Sequence, residues 1–257
     1  MVSIETGAPR GLRPPRYRVA FVVVAVFAVV CFAVLAAHNV STKLSAEDRT
    51  AAREILERGG YGQTWRSNLD LRTYDGQVNA IIAVQDAVLK ASPNNTDIPF
   101  DAPREPADLL RLEMGLCFDR SRSIEKILSM LGLENRHVAV YSTKHTGSAF
   151  TSLLTPQIDS HAVTEVKTLK GWMVVDSNKR WVALTQNGLP VSMVALQNND
   201  ASTADWSARN KDRINPIFTS EFTYVIGLYS RHGRFFPPYT SVPDVNWRDL
   251  IIANVLG

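Results

Sequence analysis

The 257-residue chain has room for one membrane segment and one domain of about 200 residues, the normal size of a single core. Its formal net charge of +3 sits at the start, where Arg10, Arg13, Arg16 and Arg18 face Glu5 alone, and the remaining 24 basic and 24 acidic residues cancel. No dense Lys/Arg stretch offers itself to a phosphate backbone, so nucleic acid is set aside as a partner.

Residues 1–18 read as a basic tail. The apolar run Val19 to Ala37, 19 residues long, is close to the length that spans a bilayer as a helix. Arginines precede it, so the positive-inside rule keeps the N-terminus in the cytoplasm and carries everything beyond about residue 40 across. The expectation is an uncleaved single-pass anchor over 19–40 in a bacterial inner membrane, with the domain in the periplasm. A cleaved signal peptide is the alternative, with Val34 and Ala36 as an acceptable site, but the run is long for one. Cys31 lies inside it and reads as a small hydrophobe.

Ser45 to Arg58 reads as a helix, with Ser45 as N-cap, Asp48 completing a capping box, and Gly59-Gly60 as the stop. Tyr61 to Tyr74, with Trp65 and Leu69, shows no clear period, and Asp75-Gly76 is a turn signal. Gln77 to Ala91 is an amphipathic helix through Val78, Ile81, Ile82, Val88 and Leu89, ended by Ser92-Pro93. The proline-rich stretch Asn94 to Pro106 reads as a surface loop, and a short helix over Ala107 to Glu113 delivers the chain to Gly115.

Gly115 to Leu133 is the stretch around which the rest is organised. Ile124, Ile127, Leu128 and Leu131 fall on one face of a helix, with Arg120, Arg122, Glu125 and Lys126 mostly off it. Cys117 stands at its start, where free N–H groups and the positive end of the helix dipole favour a thiolate. It is the one cysteine outside the apolar run. A chain exported to an oxidising compartment normally uses structural cysteines in pairs, so a lone thiol here is a candidate nucleophile. The competing reading is a buried, inert cysteine.

A cysteine nucleophile needs a base and a group to hold that base. His137 to Ser142 reads as a strand and Thr143 to Asp159 as a polar loop. Ser160 to Thr168 is a strand opening on His161, and Gly171 to Ser177 a strand closing on Asp176. Their short connection makes a hairpin, which puts His161 and Asp176 at the same end of the sheet. His137 and His145 are rival bases better read as structural or solvated. Glu165 alternates with His161 and would face the same cleft, although a solvated carboxylate is its ordinary state. A metal site at Cys117, His161 and Asp176 is disfavoured by the lack of short ligand spacing.

The ordered set GLC with its helix, LGLENRHVAVYS, HAVTEV and GWMVVDS, over roughly residues 105–185, resembles the core of the transglutaminase-like superfamily. That resemblance implies a papain-like α+β fold, with a nucleophile helix packed on a mostly antiparallel sheet. It also implies a triad of Cys117 as nucleophile, His161 as base and Asp176 as the residue that orients the imidazole. Leu133 and Arg136 match the family's exit from the helix. The family's upstream oxyanion side chain is not identifiable here, which leaves the backbone N–H of Cys117 as donor.

Beyond the triad, Trp181 to Val194 reads as strand and turn, Gln197 to Asn210 as an exposed loop, and Thr219 to Tyr229 as a strand. Arg231, His232, Arg234, Phe235, Phe236 and Tyr239 place cations beside aromatics, a composition suited to a sugar or an anionic envelope polymer, though also to a packed loop. Residues 244–256 close as a helix. The domain is expected over 41–190, with 191–257 a C-terminal extension packed on it. The expected activity is peptidase, amidase or transamidase on a peptide or other amide-containing envelope substrate, with no cofactor and no metal. Two rivals are a binding or assembly module of envelope polysaccharide machinery that keeps the fold without the chemistry, and a redox sensor built on Cys117 alone.

Overall fold

The first helix, α1 (Arg16–Ala37), contains the window Ala20–Ala37, whose mean hydropathy is 3.0 and none of which is buried. Its length and composition suit a membrane span, and an N-terminal signal sequence meets the same measure. The structure is a computed structural model and describes residues 16–62, 70–99, 102–155, 157–200, 207–229 and 244–255. It divides into two units, Met1–His38 and Asn39–Gly257. The remaining features belong to the second unit.

Helix α2 (Ala46–Arg58) starts as its sequence dictates. The Ser45 hydroxyl accepts from the Asp48 N–H at 3.0 Å and the Asp48 carboxylate accepts from the Ser45 N–H at 2.8 Å, a reciprocal box that satisfies two orphan donors. Helix α3 (Tyr74–Ala91) begins earlier than its periodicity suggests, because the Thr73 hydroxyl accepts from the Gly76 N–H at 3.1 Å and caps it. Asp75-Gly76 is therefore a first helical turn and not a chain reversal. A Cβ on Gly76 would lie 1.9 Å from the Asp70 carbonyl oxygen, so the glycine serves a close approach. Helix α4 (Pro106–Leu112) has proline at its first position, where no N–H is needed, and α5 (Cys117–Met130) follows.

Strands β1 (Asn135–Ser142), β2 (Ser160–Thr168), β3 (Gly171–Val175) and β4 (Phe222–Ile226) form one antiparallel sheet in the order β3-β2-β1-β4. A short helix, α6 (Ala149–Leu154), occupies the segment expected to be a polar loop; the Ser148 hydroxyl caps it by accepting from the Thr151 N–H at 3.4 Å. Between Trp181 and Val194 the described chain makes isolated bridges, Val175 with Val182 and Leu184 with Pro190, and not a full strand. Helix α7 (Trp247–Val255) closes the described chain.

The sheet is covered on both faces, as its alternation requires. Val166, Met173 and Val175 pack under Ile124, Ile127 and Leu128 of α5 with α2 and α3 behind, while Val138, Val163 and Val174 meet Trp181, Met193 and Phe218. Glu165 lies on the second face. It is buried beneath the returning chain, paired with Arg136 at 2.7 Å and accepting from the Met193 N–H at 2.8 Å, so it is neither solvated nor in a cleft.

The polar flank of α5 also departs from expectation. Arg120, Arg122, Glu125 and Lys126 are all buried. Arg122 donates to the Ser41 carbonyl at 2.5 Å and to Glu105 at 3.1 Å. Lys126 pairs with Asp48 at 2.8 Å and Glu105 at 3.0 Å, and the Tyr229 hydroxyl donates to Glu125 at 2.8 Å. Periodicity sees only the apolar stripe; the opposite face is filled by ion pairs whose partners come from distant segments.

Candidate active site

Cys117 is the first residue of α5 and is half-buried. The Asp119 carboxylate accepts from the Leu116 N–H at 3.0 Å and fixes the helix entrance. The N–H groups of Cys117, Phe118 and Asp119 precede the first intrahelical bond and face outward from that entrance. Behind it, the Gly115 N–H donates to Asn94 at 3.1 Å and the Asn94 N–H to Glu113 at 3.3 Å, tying the loop after α3 to the segment before the cysteine.

The β2–β3 hairpin brings the other two residues together. Its register runs from Thr168 opposite Gly171 to Thr164 opposite Val175, so His161 and Asp176 emerge at one end. His161 Nε2 lies 3.0 Å from Asp176 Oδ2. A carboxylate only accepts, so Nε2 carries the proton and Nδ1 is the nitrogen left for the sulfur. Asp176 Oδ1 accepts from the N–H groups of Asn178 and Lys179 at 2.7 and 2.9 Å. The buried Gln85 donates to the Asp176 carbonyl at 2.8 Å, anchoring this turn to α3.

Asp176 is fully buried and His161 nearly so. Burial opposes a charged imidazole, but the Asp176 carboxylate and the hydrogen-bonding Cys117 sulfur outweigh it, and His161 is pushed up to about 10. Burial likewise opposes the Asp176 charge, and the His161 ring and the two backbone donors hold the carboxyl below its ordinary value. The two shifts agree in direction: the pair is an imidazolium and a carboxylate.

Cys117 and His161 open on a cleft of about 610 Å³, also lined by His145, Asp159, Asn178 and the turn from Asn215 to Ser220. His145 thus borders the cleft. His137, the other rival base, is enclosed, stacked on Tyr229 with ring centroids 4.1 Å apart. Burial and the Arg122 charge press it down to about 3. Among the described residues no group of three His, Cys, Asp or Glu side chains is placed to hold a metal.

Two residues that sequence reasoning passed over complete the site. Arg120, one turn along α5 from Cys117, donates through Nη1 to Asn178 Oδ1 at 2.8 Å and Asn95 Oδ1 at 3.0 Å, and through Nε and Nη2 to Ser92 at 3.1 and 2.7 Å. Its charge acts on both Cys117 and Asp176. Asn178 shares the cleft wall. The available signal was position, since Arg120 follows Cys117 by three residues and Asn178 follows Asp176 by two. Trp65, Leu69 and the cluster Arg231, His232, Arg234, Phe235, Phe236 and Tyr239 lie outside the described residues, as do Arg10 and Arg13 of the basic tail.

No curated protein and no solved structure matches the chain. Residues 69–177 match the family model described as the Transglutaminase-like superfamily, a range that holds Cys117, His161 and Asp176. With the helix that opens on Cys117 packed on an antiparallel sheet, the chain carries a transglutaminase-like domain of the general thiol-enzyme fold.

Proposed function

We propose that the protein is a thiol enzyme that cleaves or transfers acyl groups at amide bonds through Cys117, His161 and Asp176. The observation that carries this reading is the buried His161–Asp176 pair, with its Nδ1 edge turned to a half-buried cysteine at a helix start. Asp176 holds the imidazole in the tautomer that presents Nδ1 and stabilises its charge. With the proton on His161, the sulfur attacks the amide carbon. The developing oxyanion accepts from the Cys117 N–H, which α5 does not use. His161 then protonates the departing amine, leaving a thioester. Water as acceptor gives a peptidase or amidase, and a second amine gives a transamidase.

In this reading α1 is an uncleaved anchor in a bacterial cytoplasmic membrane. The arginines ahead of its apolar run hold the N-terminus in the cytoplasm, and the domain works in the periplasm on a peptide or other amide-containing component of the cell envelope. The test is ammonia release from a pool of glutamine- and asparagine-containing peptides by the full chain in detergent. Turnover is expected in the wild type and none above background in Cys117→Ala, whose melting curve is expected to match the wild type. A Cys117→Ala protein that retains full turnover overturns the assignment.

A further inference from the structure

A second cavity, of about 590 Å³, adjoins the reaction cleft and shares Asn178 as a wall. Lys90, Arg120 and Arg180 line it together with Asn95, and no Asp or Glu is among its lining residues. Two other cavities differ: the reaction cleft includes Asp159, and another, under α7, includes Glu134 and Asp249.

The hydrogen bonding turns this wall into a set of donors. Arg120 spends its N–H groups inward, on Ser92, Asn94, Asn95 and Asn178. Because Arg120 takes the carboxamide oxygens of both asparagines, each presents its NH₂ end away from the guanidinium, and neither NH₂ has an acceptor among the described residues. Arg180 is held through Nε by Asp86 at 2.7 Å, which leaves its two terminal nitrogens without an acceptor among the described residues. Asp86 also pairs with Lys90 at 2.9 Å and Lys211 at 3.4 Å, and the Asp212 carboxylate accepts from the Arg180 backbone N–H at 2.6 Å, so these three cations share two carboxylates, neither of which lines the cavity. A pre-oriented guanidinium edge beside two amide donors suits a planar two-oxygen acceptor.

We infer that this cavity is a subsite for a carboxylate carried by the substrate, so that the enzyme selects amides with an acidic group near the scissile bond. The inference rests on Cys117 as the attacking residue. A substrate lying across Asn178 would place its amide at Cys117 and its carboxylate against Arg180, Asn95 and Asn178. Acidic peptides would then be favoured over their amidated counterparts.

The test reads Cys117 alkylation by mass spectrometry, using the full chain in detergent and matched reagents. These are N-iodoacetyl-glycine, N-iodoacetyl-β-alanine and N-iodoacetyl-γ-aminobutyrate, each against its primary amide. The acid-to-amide rate ratio cancels any change common to both and is measurable at whatever rate the thiol reacts. A ratio of about fivefold or more is expected for at least one spacing in the wild type, falling toward one in Arg180→Gln and in Asn95→Asp. Asn95→Asp keeps an oxygen for Arg120 and guards against loss of folding in the first variant. Lys167→Gln, at a remote exposed pair with Glu134, is expected to leave the ratio unchanged. A ratio near one at every spacing, or a high ratio that both variants retain, overturns the subsite. Failure of the thiol-enzyme reading looks different: slow alkylation by acids and amides alike, unaltered by His161→Ala.

Discussion

Two buried histidines stand on adjacent strands of the same sheet and have opposite electrostatics. His161 faces Asp176 and is pushed up to about 10, while His137, stacked on Tyr229 with Phe118 edge-on to it, is pressed down to about 3 by burial and the Arg122 charge. Burial alone penalises the charge in both. What separates them is a carboxylate at 3.0 Å, itself fixed by two backbone amides and the hairpin. The charge of an imidazole in this fold is therefore set by the partner the chain supplies to it, and not by its depth.

The most direct way to break that contrast is Asp176→Asn. It keeps the shape, removes the charge, and permits the wrong tautomer at His161. A loss in turnover on the order of 10³-fold or more is expected, measured as ammonia release at saturating peptide. A variant within tenfold of the wild type would mean that Asp176 serves only the fold.

The stability of the folded chain against pH sharpens the contrast because the two rings contribute opposite slopes. The folded value of His161 lies above its ordinary 6.5, so its contribution is complete below that pH and is lost as pH rises toward about 10. The folded value of His137 lies below 6.5, so the unfolded state binds the extra proton first and stability falls as pH drops from 6.5 toward about 3. Asp176, held below its ordinary value, adds to the acid limb as it is protonated. Each single-proton slope is at most about 1.4 kcal/mol per pH unit. Urea unfolding across pH 4 to 10 should show His161→Ala flattening the alkaline limb and His137→Phe flattening the acid limb.

The smallest effect is expected from His137→Phe at neutral pH. The ring keeps its place against Tyr229 and Phe118, loses a 3.2 Å contact with the Ser121 hydroxyl, and removes a buried Nε2 that has no hydrogen-bond partner among the described residues. Stability within about 1 kcal/mol of wild type and turnover within about twofold are expected. A large loss of turnover would move His137 from the core into the chemistry.

What the sequence disclosed follows the range of the forces involved. The Ser45–Asp48 box, the helix opening on Cys117 and the β2–β3 hairpin depend on neighbours a few residues apart, and their placement was legible. Gly76 misled because its role is set by the Asp70 carbonyl outside the helix it begins. The buried polar flank of α5 was illegible because Arg122 and Lys126 find Ser41, Asp48 and Glu105 only after folding, and an exposed charge looks the same in sequence as a paired one. Arg120 and Asn178 were missed likewise: their contact joins a helix to a turn 58 residues away.

The central claim is that Asp176 holds a proton on His161 while His137 stays neutral in the same sheet. Imidazole resonances of ¹⁵N-histidine-labelled full chain, assigned with His161→Ala and His137→Phe and followed from pH 4 to 10.5, test it directly. His161 charged throughout neutral pH and titrating near 10, beside a His137 that does not titrate above pH 4, is the expected outcome. Two rings titrating together near 6.5, or a His161 already neutral at pH 7, would contradict it.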